Sequence, residues 1–185
     1  TMRDVTKNAI QKTKVAIIGA GFGGLAMAIR LLQSQINDFV ILEKTNDVGG
    51  TWRENQYPGA ACDVQSHMYS LSFAPKTDWS KRYAEADEIF TYIQDITEQY
   101  KLKDYCKFNH EVTHAQFDEN RNVWTVEFKD QPTLEAQFVI FASGPLHVPQ
   151  IPHIKGIEKF KGKVFHSSKW EHDYDLNGKS VASIG

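Results

Sequence analysis

The order of apolar and polar positions predicts alternating strands and helices. Residues 15–19 are apolar or small without a break and close on glycine, which predicts a buried strand. Leu25, Ala28, Ile29, Leu32 and Ile36 then recur at helical spacing, so a helix follows, ending near residue 36. A second apolar run, 39–42, predicts a strand that ends at Glu43. Ile89, Ile93, Ile96 and Tyr100 predict a helix over 87–100 with one buried face. Residues 112–117 and 123–128 alternate instead, with Trp124, Val126 and Phe128 on one face and a polar turn at 118–122 between the runs. After a turn at 129–132 and Leu134, residues 138–142 are apolar on both faces, as expected of a strand inside a parallel sheet. The sum is an α/β chain that opens with a βαβ unit.

Between these segments the composition changes. Residues before Lys14 form a polar lead-in. The stretch 45–84 is irregular, with Gly49-Gly50, Pro58-Gly59 and Pro75, yet rich in aromatics; a long structured loop of this kind suits wrapping around a larger ligand. Pro145, Pro149 and Pro152 mark a linker over 145–178 that follows a domain spanning 1–144. Residues 181–185, VASIG, repeat the opening VAIIG of 15–19, so 179–185 reads as the first strand of a second unit.

The first turn carries the candidate chemistry. Gly19, Gly21 and Gly24 fit G-x-G-x-x-G, with Ala28 four residues on. Gly19 allows the tight turn, Gly21 admits a diphosphate close to the main chain, and Gly24 with Ala28 lets helix and strand approach. The amides that open the helix, at Phe22, Gly23 and Gly24, would face the phosphates. Glu43, followed by Lys44, stands where a ribose hydroxyl is held, and its charge would repel a 2′-phosphate, leaving FAD or NAD for this site. Ala142, Ser143 and Gly144 deliver a later strand to the same kind of edge.

Bulk properties exclude several classes. The chain has 185 residues, 41% hydrophobic and 24% charged, with a net charge of −2, which gives no reason to expect nucleic acid or an acidic membrane as partner. Its apolar runs are too short for a membrane span. Two cysteines make no disulfide framework, so a reducing, cytoplasmic location is expected. No metal site is expected: His110 and His114 would stand about 13 Å apart on a strand, and no Cys-x-x-Cys is present. The lack of a paired-cysteine motif argues against disulfide reductase chemistry.

Three motifs together resemble the N-terminal part of Baeyer–Villiger monooxygenases, class B flavoprotein monooxygenases. The first is the glycine turn. The second is GTWRENQYPGAACD at 50–63, which fits Gly-x-Trp, then Tyr-Pro-Gly, then an aspartate four residues later. The third, Phe160, Gly162, His166 and Trp170, fits F-x-G-x-x-x-H-x-x-x-W, with Glu171 where Pro or Asp is usual. The resemblance implies a three-layer, Rossmann-like FAD-binding domain with a β-meander crossover, ending at the start of an NADP-binding domain. It implies FAD and NADPH as cofactors and a ketone and O2 as substrates, with an ester or lactone formed through a C4a-peroxyflavin. Oxidation of nitrogen or sulfur, or a non-catalytic FAD module, are the alternatives, and this stretch alone is expected to be inactive.

Individual residues keep two roles open. Gly50 and Thr51 can bring main-chain amides to a cofactor, and Trp52 serves equally as a flat wall for a ring or as core packing. Asp63 by type is a cap or turn residue; the resemblance implies a carboxylate beside the flavin, paired with an arginine of the NADPH-side domain. The resemblance also implies that Tyr69 is a flavin-side aromatic and that Val112 contacts the adenine through its main chain. His166 by type holds a turn; the resemblance ties Phe160, Gly162, His166 and Trp170 to domain movement more than to direct chemistry.

Overall fold

The computed structural model describes residues 10–184. Its elements are β1 (Gln11–Ile18), α1 (Phe22–Gln33), β2 (Phe39–Leu42), α2 (Thr51–Glu54), α3 (Ala86–Gln99), β3 (Cys106–Lys107), β4 (Val112–Asp118), β5 (Val123–Phe128) and β6 (Leu134–Phe141). They build one six-stranded mixed sheet in the order β3-β2-β1-β6-β5-β4. The first four are parallel neighbours, and β6-β5-β4 turn back as an antiparallel meander. This is the α/β, Rossmann-like arrangement with a meander crossover.

β1 lies at the centre because its side chains are buried on both faces. Val15 and Ile17 join Leu25, Ala28 and Ile29 of α1 and Ile89 and Ile93 of α3 in one core. Ala16 meets Val40, Leu42 and Val126 in a second core on the meander side. Burying apolar side chains of this size contributes about 1.5–3 kcal/mol each, so the β1–α1–β2 unit is well anchored before any ligand is considered.

Three expectations need correction, and one short strand was not foreseen. The lead-in does not run to Lys14: β1 starts at Gln11, because Gln11, Lys12 and Thr13 pair with Leu134, Glu135 and Ala136 of β6. The loop 45–84 contains α2 and a 3-10 turn at Ser66–Met68. The two-residue β3 had no periodic signal. Finally, β6 is not buried on both faces, as Phe138 is 57% and Phe141 61% exposed. Its antiparallel neighbour β5 accompanies it only across Leu134, Glu135 and Ala136, so the second half of β6 has β1 alone beside it.

The linker 145–178 carries 3-10 turns at Ile157–Lys159 and Ser167–Lys169. Residues 179–184 run exposed and have no strand partner among the described residues, and Gly185, the glycine of the expected second unit, lies outside them.

Candidate functional site

The carboxyl ends of β1, β2 and β6 meet where the glycine turn leaves β1. Gly19 has φ +106°, and a side chain there would stand 2.5 Å from the Ala142 carbonyl oxygen. A Cβ on Gly24 would lie 1.9 Å from the Gly19 oxygen. These two glycines are therefore closed in by protein. Gly21 differs: its Cβ would meet nothing nearer than the Gly50 Cα at 3.7 Å. Gly23 would touch only the Ala142 side chain, at 3.8 Å. The second motif packs onto the first, since Gly50, with φ +53°, would bring a Cβ to 3.1 Å from the Gly21 Cα.

α1 begins with no acid in its first turn and, among the described residues, no side-chain cap. Gly21 is its N-cap. The amides of Phe22, Gly23 and Gly24 are thus presented at an uncapped, positive helix end. With the bare main chain of Gly21 and Gly50 in front, this is a cradle for a diphosphate.

Glu43 stands beside it, only 7% exposed. One carboxylate oxygen accepts from the Ala20 amide at 2.9 Å, and the other from the Thr45 amide and hydroxyl at 2.9 and 2.8 Å. A carboxylate has about four acceptor positions, so a place remains for a ribose hydroxyl. The Gly49 amide donates to the Ala20 carbonyl at 3.0 Å, tying the second motif to the same turn. Sequence reasoning missed Ala20 and Thr45; a Thr two residues after an acid is a turn signal that points to Thr45. Lys44 is exposed and paired with Glu54 at 3.3 Å.

The loop supplies an aromatic wall. Trp52 donates from its indole Nε1 to the Tyr69 hydroxyl at 3.0 Å, their rings edge to face at 5.7 Å. Phe22 packs its ring against Tyr69 at 5.5 Å and against Tyr92 at 5.9 Å. Burial pushes the Tyr69 phenol above its ordinary value, against the opposing hydrogen bond from Trp52; Cys62 and Asp63 add to the rise. Asp63 itself is exposed, and among the described residues its carboxylate has no hydrogen-bond or ion-pair partner. Thr51 opens α2, with Asn55 reaching back to its carbonyl.

The remaining sequence-predicted residues divide in two. Ala142 is delivered to the turn, its amide donating to the Ile18 carbonyl at 2.9 Å. Ser143 and Gly144 follow it, exposed. Val112 follows a stretch in which the His110 amide donates to the Glu43 carbonyl at 2.9 Å, so it stands near the end of β2. The linker motif does not enter the cradle but stands close by. His166 Nδ1 accepts from the Ser168 amide and contacts the Ser168 hydroxyl, capping the turn that follows. Trp170 packs on Phe165 at 5.1 Å, and Phe160 folds over Gly162. Glu171, the unusual residue, pairs with Lys163 at 2.8 Å and so closes the motif on itself. A crevice of about 330 Å³, lined by Thr45, Arg53, Glu54, Gln56, Ser168 and Lys169, separates this turn from α2. A larger one of about 550 Å³ lies at the opposite end of the sheet, by Gln11, Phe39 and Tyr105, away from the strand ends where α/β sheets bind ligands.

Comparison with known proteins agrees with this geometry. Residues 16–185 match the model of the pyridine nucleotide-disulphide oxidoreductase family. A Baeyer–Villiger monooxygenase of Streptomyces coelicolor is 46% identical over 175 residues, covering 95% of this chain and 34% of that protein. One of Pseudomonas aeruginosa is 47% identical over 180 residues, covering 97% and 34%. The crystal structure of OTEMO in complex with FAD and NADP superposes with a TM-score of 0.78 at 34% identity, over 86% of this chain and 31% of that one. The chain spans about a third of the length of the relatives it matches. Its own cysteines offer no redox pair: both are free, and burial, with Glu43 and Asp47 nearby, pushes the Cys106 thiol up to about 12. By fold, motif and match, the chain belongs to the pyridine nucleotide-disulphide oxidoreductase family.

Proposed function

We propose that this chain is the FAD-holding part of a longer NADPH-using Baeyer–Villiger monooxygenase, which inserts one oxygen atom of O2 beside a ketone carbonyl. The carrying observation is the uncapped start of α1 behind two side-chain-free positions, Gly21 and Gly50, with Glu43 held by Ala20 and Thr45. The residues fit FAD: the amides of Phe22, Gly23 and Gly24 would hold the diphosphate, Glu43 a ribose hydroxyl, and Val112 the adenine edge. Residues 1–144 form this domain, 145–178 the linker, and 179–185 the first strand of the NADPH domain. When bound, FAD supplies the redox chemistry that accepts hydride from NADPH and activates O2.

The chain's own residues bind and orient. Trp52 and Tyr69 close the ring side of the cradle against water. The Asp63 carboxylate, without a partner among the described residues, is available to fix a cationic side chain, and a fixed positive charge there favours an anionic oxidant over its protonated form. His166 holds the linker turn and moves no proton. The cytoplasm is the proposed compartment, in keeping with two free cysteines; among the described residues no helix is long and apolar enough to cross a membrane.

The test is direct. The full-length polypeptide, purified and loaded with FAD, should consume NADPH and O2 and yield an ester or lactone from a ketone panel, while residues 1–185 alone should not. Oxidation of sulfides or amines without any ketone oxidation would replace this function with heteroatom oxygenation.

A further inference from the structure

The loop that carries Tyr69 is tied shut at its base. The amide and hydroxyl of the buried Ser66 donate to the Arg82 and Lys81 carbonyls at 2.8 and 2.6 Å. Residues 66–82 therefore form a closed loop, and whatever lies beyond that neck needs its own hold on the body of the protein. α3 supplies it. Glu88 accepts from the Ser80 amide beside the neck. Further out, the Tyr92 hydroxyl accepts from the Leu71 amide at 2.9 Å and donates to the Ala74 carbonyl at 2.7 Å. One phenol thus holds both ends of the turn 71–74, which closes on itself through the Ala74 amide and the Leu71 carbonyl at 2.9 Å. The turn's other hold, Arg30 over the Phe73 ring at 4.0 Å, comes from an exposed side chain and is the weaker.

Tyr92 is built as an anchor. It is 5% exposed, on a helix whose Ile89, Ile93 and Ile96 are also buried. Its ring lies 5.9 Å from Phe22, at the start of α1, and 5.8 Å from Trp79 of the loop. We infer that Tyr92 is a positioning residue: its hydroxyl fixes the loop 66–82 against α3, and with it the aromatic wall that keeps water from the ring side of the cradle. Tyr92 acts through the main chain of the turn it holds. This role rests on the flavin site proposed above. A site that activates O2 loses oxidant to water when such a wall opens. A loosened loop should therefore divert NADPH, a proton and O2 into NADP+ and hydrogen peroxide instead of ester.

Tyr92→Phe isolates the effect, since it removes the hydroxyl and keeps the ring. Thr97→Val is the control: it removes a buried hydroxyl of the same helix that donates to the Ile93 carbonyl at 2.7 Å, inside α3. In the FAD-loaded full-length polypeptide turning over a ketone, Tyr92→Phe is expected to raise the hydrogen peroxide released per NADPH at least about twofold, the effect of losing one hydrogen bond at the low end of its worth. Thr97→Val is expected to leave that ratio unchanged. A rise of the same size in both variants, or in neither, would overturn the proposal. Hydrogen exchange of the FAD-free full-length protein reads the hold itself. The Ala74 amide does not bond to Tyr92, yet in Tyr92→Phe it should exchange on the order of tenfold faster, the worth of two hydrogen bonds, with the Ser66 amide unchanged. In the wild type the Leu71 and Ala74 amides should exchange together; Ala74 staying protected while Leu71 exchanges would also overturn the proposal. A wild type that makes no ester from any ketone would remove the functional proposal alone.

Discussion

The two long helices begin in opposite ways. α3 is self-sufficient: its first amide donates to the Ala60 carbonyl at 2.8 Å, and Asp87 and Glu88 place negative charge in its first turn. Glu88 also accepts from the Ser80 amide and hydroxyl at 2.9 and 2.8 Å, binding the loop to the helix start. α1 has a glycine cap and no acid in its first turn; among the described residues neither helix has a side-chain cap. Both helices bury one face in the same core, so packing does not explain the difference. A helix start with no acid of its own beside a bare main chain is a place kept for an anion from outside the protein.

Substitutions within one turn can break this comparison apart. The largest effect is expected at Gly24. An alanine there cannot coexist with the Gly19 oxygen at 1.9 Å, and forcing helix from strand should cost about 3 kcal/mol, the upper end for overpacking, read as a lower urea midpoint of the FAD-free protein. Gly21→Ala should leave that midpoint in place, because its Cβ has room, yet weaken FAD at least about tenfold by blocking the approach of the diphosphate. A matching drop in stability for both would show that the two glycines serve the same purpose.

Gly23→Asp sharpens the contrast by giving α1 the acid that α3 already has. Its Cβ fits, and the FAD-free protein should gain about 0.5–1 kcal/mol in urea unfolding from propensity and dipole while FAD binding falls. The smallest effect concerns Glu135, far from the turn. Arg121 holds its carboxyl below the ordinary value, through a hydrogen bond above all, with Lys12 assisting. A depressed folded value means stabilisation present above the unfolded value, near 4.3, and lost as pH falls through the folded one. The difference in melting temperature between wild type and Glu135→Gln should therefore shrink as the solution is acidified below about pH 4.

What the sequence disclosed follows from the range of its signals. The glycine turn and Glu43 were legible because each function there belongs to a few consecutive residues at a strand end. Trp52 and Tyr69 were each singled out, but their hydrogen bond was not, since it crosses 17 positions of irregular loop. β6 misled for a related reason: an apolar run shows that a strand could be covered on both faces, and Phe138 and Phe141 show that coverage also depends on the neighbour's length. β3 is too short for any period to register.

The pairing of β1 with β6 has a consequence for the chain as it is made. The central strand is finished by residue 18, but its partner on one side, up to Phe141 against Ile18, emerges some 120 residues later. At ordinary translation speeds that interval is on the order of ten seconds, during which one rim of β1 has no ladder to join. The nascent polypeptide must therefore hold this central strand unzipped on that side, and the diphosphate turn, whose far wall is Ala142, cannot take its final shape before the ribosome has passed it.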